Sequence, residues 1–177
     1  MSGVEALAAW REILVRTPAV LEVWLRGLHE NWVDADLGPE TWSPRIVVGH
    51  LIEGEMSDWI PRLRHLLEFG ETRPFPVFDR FAQLSRGPRS LDDLLDDFAA
   101  RRSRSLADLD GFRLTGADLD RRGQHPEFGS VRLSEHLAAW TAHDLGHLAQ
   151  IARTMAGRLR EAAGPWKAYI RVLREST

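Results

Sequence analysis

Apolar residues recur at helical spacing through four long stretches of this chain, and no stretch shows the strict alternation of a half-buried strand. Val4, Leu7, Trp10 and Leu14 mark a helix over about residues 3–16. Thr17-Pro18 then reads as a cap followed by a first-position proline, so the helix resumes to about His29, either as one bent helix or as two short ones. Ser43-Pro44 repeats that signal and opens a second long helix reaching about Phe69. Pro61 inside it lacks a backbone donor, which predicts a kink and a freed carbonyl at Ser57. Ser90 caps a third helix over about 91–109, with Leu91, Leu94, Leu95, Phe98 and Leu106 facing inward. Ser134 caps a fourth, running to about Met155 with Gly157 near its end. A short terminal helix begins at Gly164-Pro165 and runs through Arg174.

Four long amphipathic helices have one economical solution, which is to bury their apolar stripes against one another. The sequence therefore predicts an all-α four-helix bundle with a short C-terminal helix, in one domain over residues 1–177. The stretch 70–89, with Gly70, Pro74, Pro76, Gly87 and Pro88, is a long loop that could cross over along the bundle. Gly116, Gly123, Pro126 and Gly129 mark a second loop ahead of the fourth helix.

Composition narrows the chemistry. The chain has no cysteine, which excludes disulfides, thiolate nucleophiles, iron–sulfur clusters and thiolate zinc sites. Histidine and carboxylate remain as the strong ligands. A net charge of −3 gives no global attraction to nucleic acid or anionic membrane. No apolar run is long enough to cross a bilayer, and the start Met1-Ser-Gly-Val-Glu lacks a signal-peptide pattern, so a cytoplasmic protein is expected.

The most informative motif is Trp140-Thr-Ala-His143-Asp144-Leu-Gly-His147. Imidazoles four residues apart lie on one helix face and can bind one metal ion together. His50, near the start of the second helix, supplies a third candidate; three histidines with open positions describe a reactive metal site rather than a closed structural one. Asp144 projects into the apolar stripe of the fourth helix and needs a partner there, for which the second ring nitrogen of His50 is the expected group. Gly54 shares the His50 face one turn on, leaving space above the ion, with Trp140 beside the same cavity. Glu53 and Asp58 are candidate acid–base groups, Glu53 also a candidate ligand. Each feature has an ordinary counterpart. A lone His-x-x-x-His arises by chance, His50 could be a hydrogen-bonded core residue, and His136 is expected in the core or cavity. His125 belongs at the surface or a cavity lip, and Arg101-Arg102-Ser-Arg104 on a solvated helix face.

Taken together, Trp42-Ser43-Pro44, Val48-Gly49-His50-Leu51, His125-Pro126-x-x-Gly129 and Trp140-x-x-His143-Asp144-x-x-His147-x-x-Gln150-Ile151 resemble the DinB-like family of damage-inducible bacterial proteins, over about Thr17 to Arg158. The resemblance implies a bundle in which His50, His143 and His147 bind zinc, nickel or a similar divalent ion, frequently within a homodimer. Characterised relatives include S-transferases that use a low-molecular-weight bacterial thiol and mycothiol-dependent maleylpyruvate isomerases. A metal ion that lowers the pKa of a bound thiol would supply the thiolate this cysteine-free chain lacks, for attack on a small electrophile. Two rivals stay open: a metal-dependent hydrolase, and a non-catalytic stress or ligand-binding bundle.

Overall fold

The computed structural model describes residues 3–174; Met1, Ser2 and residues 175–177, which the one-domain reading also spans, lie outside the described residues. The helices are α1 (Gly3–Leu25), α2 (Glu30–Val33), α3 (Pro44–Ser57), α4 (Trp59–Phe69), α5 (Leu91–Gly111), α6 (Gly116–Leu119), α7 (Leu133–Gly157) and α8 (Arg171–Arg174). A two-stranded hairpin, β1 (Arg122–His125) and β2 (Gly129–Arg132), precedes α7, and 3-10 turns occupy Ala82–Ser85 and Gly164–Ala168.

The two prolines behave differently. Pro18 sits within an unbroken α1, where it has no N–H to offer the carbonyl of Leu14. Arg102 on α5 fills that gap, its Nη1 donating to Leu14 O at 2.9 Å. The second long helix divides instead into α3 and α4 at Asp58, whose ψ of −73° departs from helical geometry three residues before Pro61. At the start of α3, Ser43 Oγ accepts from the Ile46 N–H and Pro44 takes the first turn. Ser90 caps α5 in the same way. Ser134 does not cap the fourth helix: α7 starts one residue earlier, with the Arg132 N–H donating to Glu135 at 2.7 Å.

Directions follow from which residues meet. Arg45 reaches the Arg89 carbonyl, Arg102 meets Glu55, and Arg64 meets Asp108, so the α3–α4 rod and α5 run parallel. A parallel neighbour requires the 70–90 segment to travel back along the bundle, so it is a crossover. Arg26–Asp96 and Arg11–Asp110 set α1 antiparallel to α5, and the histidines set α7 antiparallel to α3. Both α1 and α3 pack against α5 and α7, which places α1 and α3 diagonally across the bundle.

The hairpin is absent from the sequence reading. Its strands, Arg-Gly-Gln-His and Gly-Ser-Val-Arg, are four residues each and carry almost no apolar alternation. The two strands pair over four residues, and tertiary contact anchors the pair. Gly123 lies so close to Phe75 that a Cβ there would come within 2.8 Å of its ring, and the Phe75 N–H donates to Gln124 O.

Two buried clusters fill the bundle. One gathers Leu63, Leu66, Leu133, Leu137 and Trp140 around Leu14; the other gathers Val47, Val48, Leu51, Leu95 and Phe98 around Leu21 and Leu25. Among the described residues no helix is long and apolar enough to cross a membrane.

Candidate metal centre

Helix α3 carries His50, and α7 carries His143 and His147 one turn apart on the face turned toward it. Their ligand-capable nitrogens lie within 4.8 Å of one another. Nε2 of His143 is 3.1 Å from Nε2 of His50 and 3.0 Å from Nε2 of His147. The other ring nitrogens define the tautomers. His50 Nδ1 lies 3.2 Å from the Arg80 carbonyl, and His147 Nδ1 lies 2.8 Å from Gln150 Oε1. Both partners accept, so both Nδ1 atoms donate, and both Nε2 atoms present lone pairs to the centre. A single proton on His143 Nε2 can satisfy one of those lone pairs and not the other. His143 Nδ1, for its part, is buried with no hydrogen-bond partner. Three imidazoles facing inward with too few protons to share form a donor set suited to a divalent cation.

Burial keeps the donors neutral. It pushes the His50 pKa down to about 4, with His147 adding repulsion. The same burial, with repulsion from His147 and His50, pushes His143 further down, and burial lowers His147 as well. The walls are aromatic. Trp42 packs on His50 at 4.8 Å between ring centres and stacks with His147, Phe78 meets His50 edge-on, and Trp59 meets His143 at 5.1 Å.

The residues expected around the triad are engaged with other partners. Asp144 does not reach His50; the Arg80 carbonyl takes that role. Asp144 is fully buried and paired with Arg102, which also binds Glu55. Trp140 is wholly buried, stacked on Trp59 with its indole N–H donating to Glu55 at 3.2 Å, so it offers no surface to a ligand. Gly54 leaves space for Trp59 rather than for a ligand, because a Cβ there would meet the indole nitrogen at 2.8 Å. Glu53 is tied to Arg86, and Asp58 to Arg62, with burial pushing the Asp58 pKa up to about 6.

His136 is a core residue, its Nε2 donating to the Trp59 carbonyl at 3.0 Å. His125 lies half-buried in the hairpin, where its Nδ1 accepts from the Glu127 and Phe128 N–H groups. Arg102 departs furthest from expectation: it is 1% exposed, not on a solvated face. Its spacing from Phe98, Leu106 and Leu109 placed it on the buried stripe of α5, and that signal was available in the sequence.

The sequence pattern of the DinB superfamily matches residues 13–151, a span containing all three histidines. The chain belongs to the DinB superfamily. Similarity to individual DinB-like proteins is more distant. The chain is 24% identical over 150 residues to a protein of Bacillus mycoides (strain KBAB4) that bears the provisional name of a metal-dependent hydrolase, covering 83% of this chain and 84% of that one. Among solved structures, YfiT from Bacillus subtilis superposes with a TM-score of 0.72 at 23% identity, over 88% of each chain. YfiT is described as having an unusual four-helix bundle topology and as a candidate metal-dependent hydrolase. At that identity the likeness carries the fold, which agrees with the parallel α3–α5 arrangement found here.

Proposed function

We propose that this DinB protein binds one divalent metal ion, zinc or nickel, through His50, His143 and His147, and uses it to activate a low-molecular-weight thiol such as mycothiol for transfer to an electrophile. The convergence of the three Nε2 atoms, two of them held with their lone pairs inward, carries the reading. When bound, the metal supplies Lewis acidity that lowers the pKa of a thiol or water it coordinates. The protein's own groups prepare the site. The Arg80 carbonyl and Gln150 fix two imidazole tautomers, and Trp42, Phe78 and Trp59 shield the centre from bulk water. Two features favour a thiol over water. The walls are aromatic, which suits a soft, weakly hydrated nucleophile, and both candidate carboxylate bases are engaged with arginines. A cytoplasmic homodimer belongs to the same reading.

Metal-dependent hydrolysis is the second reading, favoured by the names given to both relatives. Cobalt-substituted protein separates the two. Mycothiol, bacillithiol or glutathione should add an intense near-ultraviolet thiolate charge-transfer band, and turnover of an electrophile should require thiol. Hydrolysis without thiol, together with an unchanged cobalt spectrum at millimolar thiol, would transfer the assignment to hydrolase.

A further inference from the structure

A cavity of about 350 Å³ opens between α3, the start of α5 and the crossover, and the triad histidines are not among its lining residues. Its size falls at the small end of ligand pockets, which run from about 300 to 1,000 Å³. Ile46, Ile52 and Leu94 supply an apolar lining, while Arg45, Arg86 and Arg89 bring three guanidinium groups to the same space. Glu53 is the one carboxylate among the lining residues, and Arg86 neutralises it.

Donor accounting shows what the cavity lacks. Each guanidinium carries five N–H donors. Among the described residues Arg45 spends three, on Asp34 and the Arg89 carbonyl; Arg86 spends two on Glu53; and Arg89 spends two, on Asp97 and the Asp93 carbonyl. Glu53 is already held by Arg86, so the lining offers those remaining donors no free carboxylate. Gln83, also in the lining, repeats the pattern. Its amide lies beside the His50 ring, and by strict geometry both of its polar ends are buried without a hydrogen-bond partner. Buried polar groups left in that state call for a missing partner.

We propose that this cavity binds a small organic carboxylate with an apolar body, the acid end meeting the arginines and the Gln83 amide and the hydrocarbon lying on Ile46, Ile52 and Leu94. A neutral apolar molecule would leave the spare donors unmatched, and a cation would find no free carboxylate, because Glu53 is held by Arg86. The assignment stands apart from the reading of the triad, so the two can fail separately.

Octanoate and 1-octanol serve as matched probes, followed by calorimetry and ligand-observed NMR on the full chain. Octanoate should bind with a sub-millimolar Kd, and octanol at least about tenfold more weakly, since a lost charge-assisted hydrogen bond accounts for a factor of that order. Ile46→Trp, which places an indole in the cavity, should weaken octanoate by more than about tenfold, while metal content and the helical circular dichroism hold. Arg89→Gln should bring octanoate toward octanol; Asp97 keeps Arg101 as a partner, so the fold has no new unpaired carboxylate. If Ile46→Trp does not fold, the Arg89→Gln comparison decides alone. Absence of octanoate binding at millimolar concentration, or binding indifferent to both substitutions, overturns the site. Equal affinity for octanoate and octanol overturns the carboxylate assignment. Metal analysis of the same samples tests the triad independently.

Discussion

Arg102 and Asp144 form a two-point ion pair inside the bundle, Nη1 2.5 Å from Oδ2 and Nη2 3.0 Å from Oδ1, with both side chains at 1% exposure or less. The same guanidinium binds Glu55 on α3 and the Leu14 carbonyl on α1, so one side chain of α5 ties all four bundle helices together. The tie sits one residue from His143 and five from His50, and so bears on the register between the two helices that carry the triad. Two carboxylates share one cation here, and burial raises the Glu55 pKa against the pull of Arg102. Removing the cation strands both. Arg102→Met should therefore destabilise the protein by about 3–5 kcal/mol, read from urea unfolding at neutral pH. A loss within about 0.5 kcal/mol, the range of an ordinary surface change, would show that the network contributes little.

Asp144→Asn separates this structural tie from a direct role at the metal. The tautomer-fixing partners of His50 and His147 are Arg80 and Gln150, neither of which the substitution touches. Unfolding free energy should drop, while metal affinity changes by less than the roughly tenfold seen on removing a partner of a ligand imidazole. A tenfold or larger fall in competitive chelator titrations would mean that Asp144 acts on the triad.

Metal content tests the triad itself. Wild-type protein should retain about one divalent ion per chain, and the His143→Ala/His147→Ala double variant should lose it, because one imidazole cannot hold the ion alone. His136→Ala should keep full occupancy, since its ring bonds the Trp59 carbonyl and is not among the converging nitrogens. Plasma emission analysis after dialysis reads all three proteins.

His136 also sets a pH dependence. Burial outweighs its hydrogen bond to Trp59 and holds its pKa down to about 4, against 6.5 for the free side chain. The unfolded chain takes up this proton first as pH falls, so the neutral ring contributes stability above pH 6.5 that drains away between pH 6.5 and 4. The full effect is roughly 3 kcal/mol. Comparing wild type with His136→Leu isolates it, because the triad and Asp58 titrate in both. The gap in unfolding free energy should shift toward the variant as pH goes from 7 to 4.5. A pH-independent gap would place the ring in contact with solvent.

Gly54→Ala probes the close approach between α3 and Trp59. The added carbon would press on the indole nitrogen, and Trp59 itself packs against His136, Trp140 and His143. Overpacking of this kind should destabilise by about 1–3 kcal/mol and shift the tryptophan emission. Unchanged stability and spectrum would mean that the helix yields without strain.

The bundle was legible in the sequence because helix signals are local. Ser43-Pro44, Ser90 and the apolar stripe of α5 act over one or two turns of their own chain, and so did the i, i+4 spacing of His143 and His147. The meeting of His50 with both α7 imidazoles, and the stacking of Trp42 on His147, needed the antiparallel packing of α3 on α7. What lay beyond local pattern was partner choice. Asp144 was correctly placed in an apolar stripe that demands a partner, but four helices converge there, and the chain alone does not say that an arginine on α5 arrives before a histidine on α3. The same reason hid the hairpin, whose short ladder is anchored by Phe75 against Gly123, and the cavity beside Gln83, which exists only because the crossover folds back along α3. Sequence fixes a helix by interactions a few residues apart; a buried charge or a pocket is decided by which distant segments the packing brings within 3 Å.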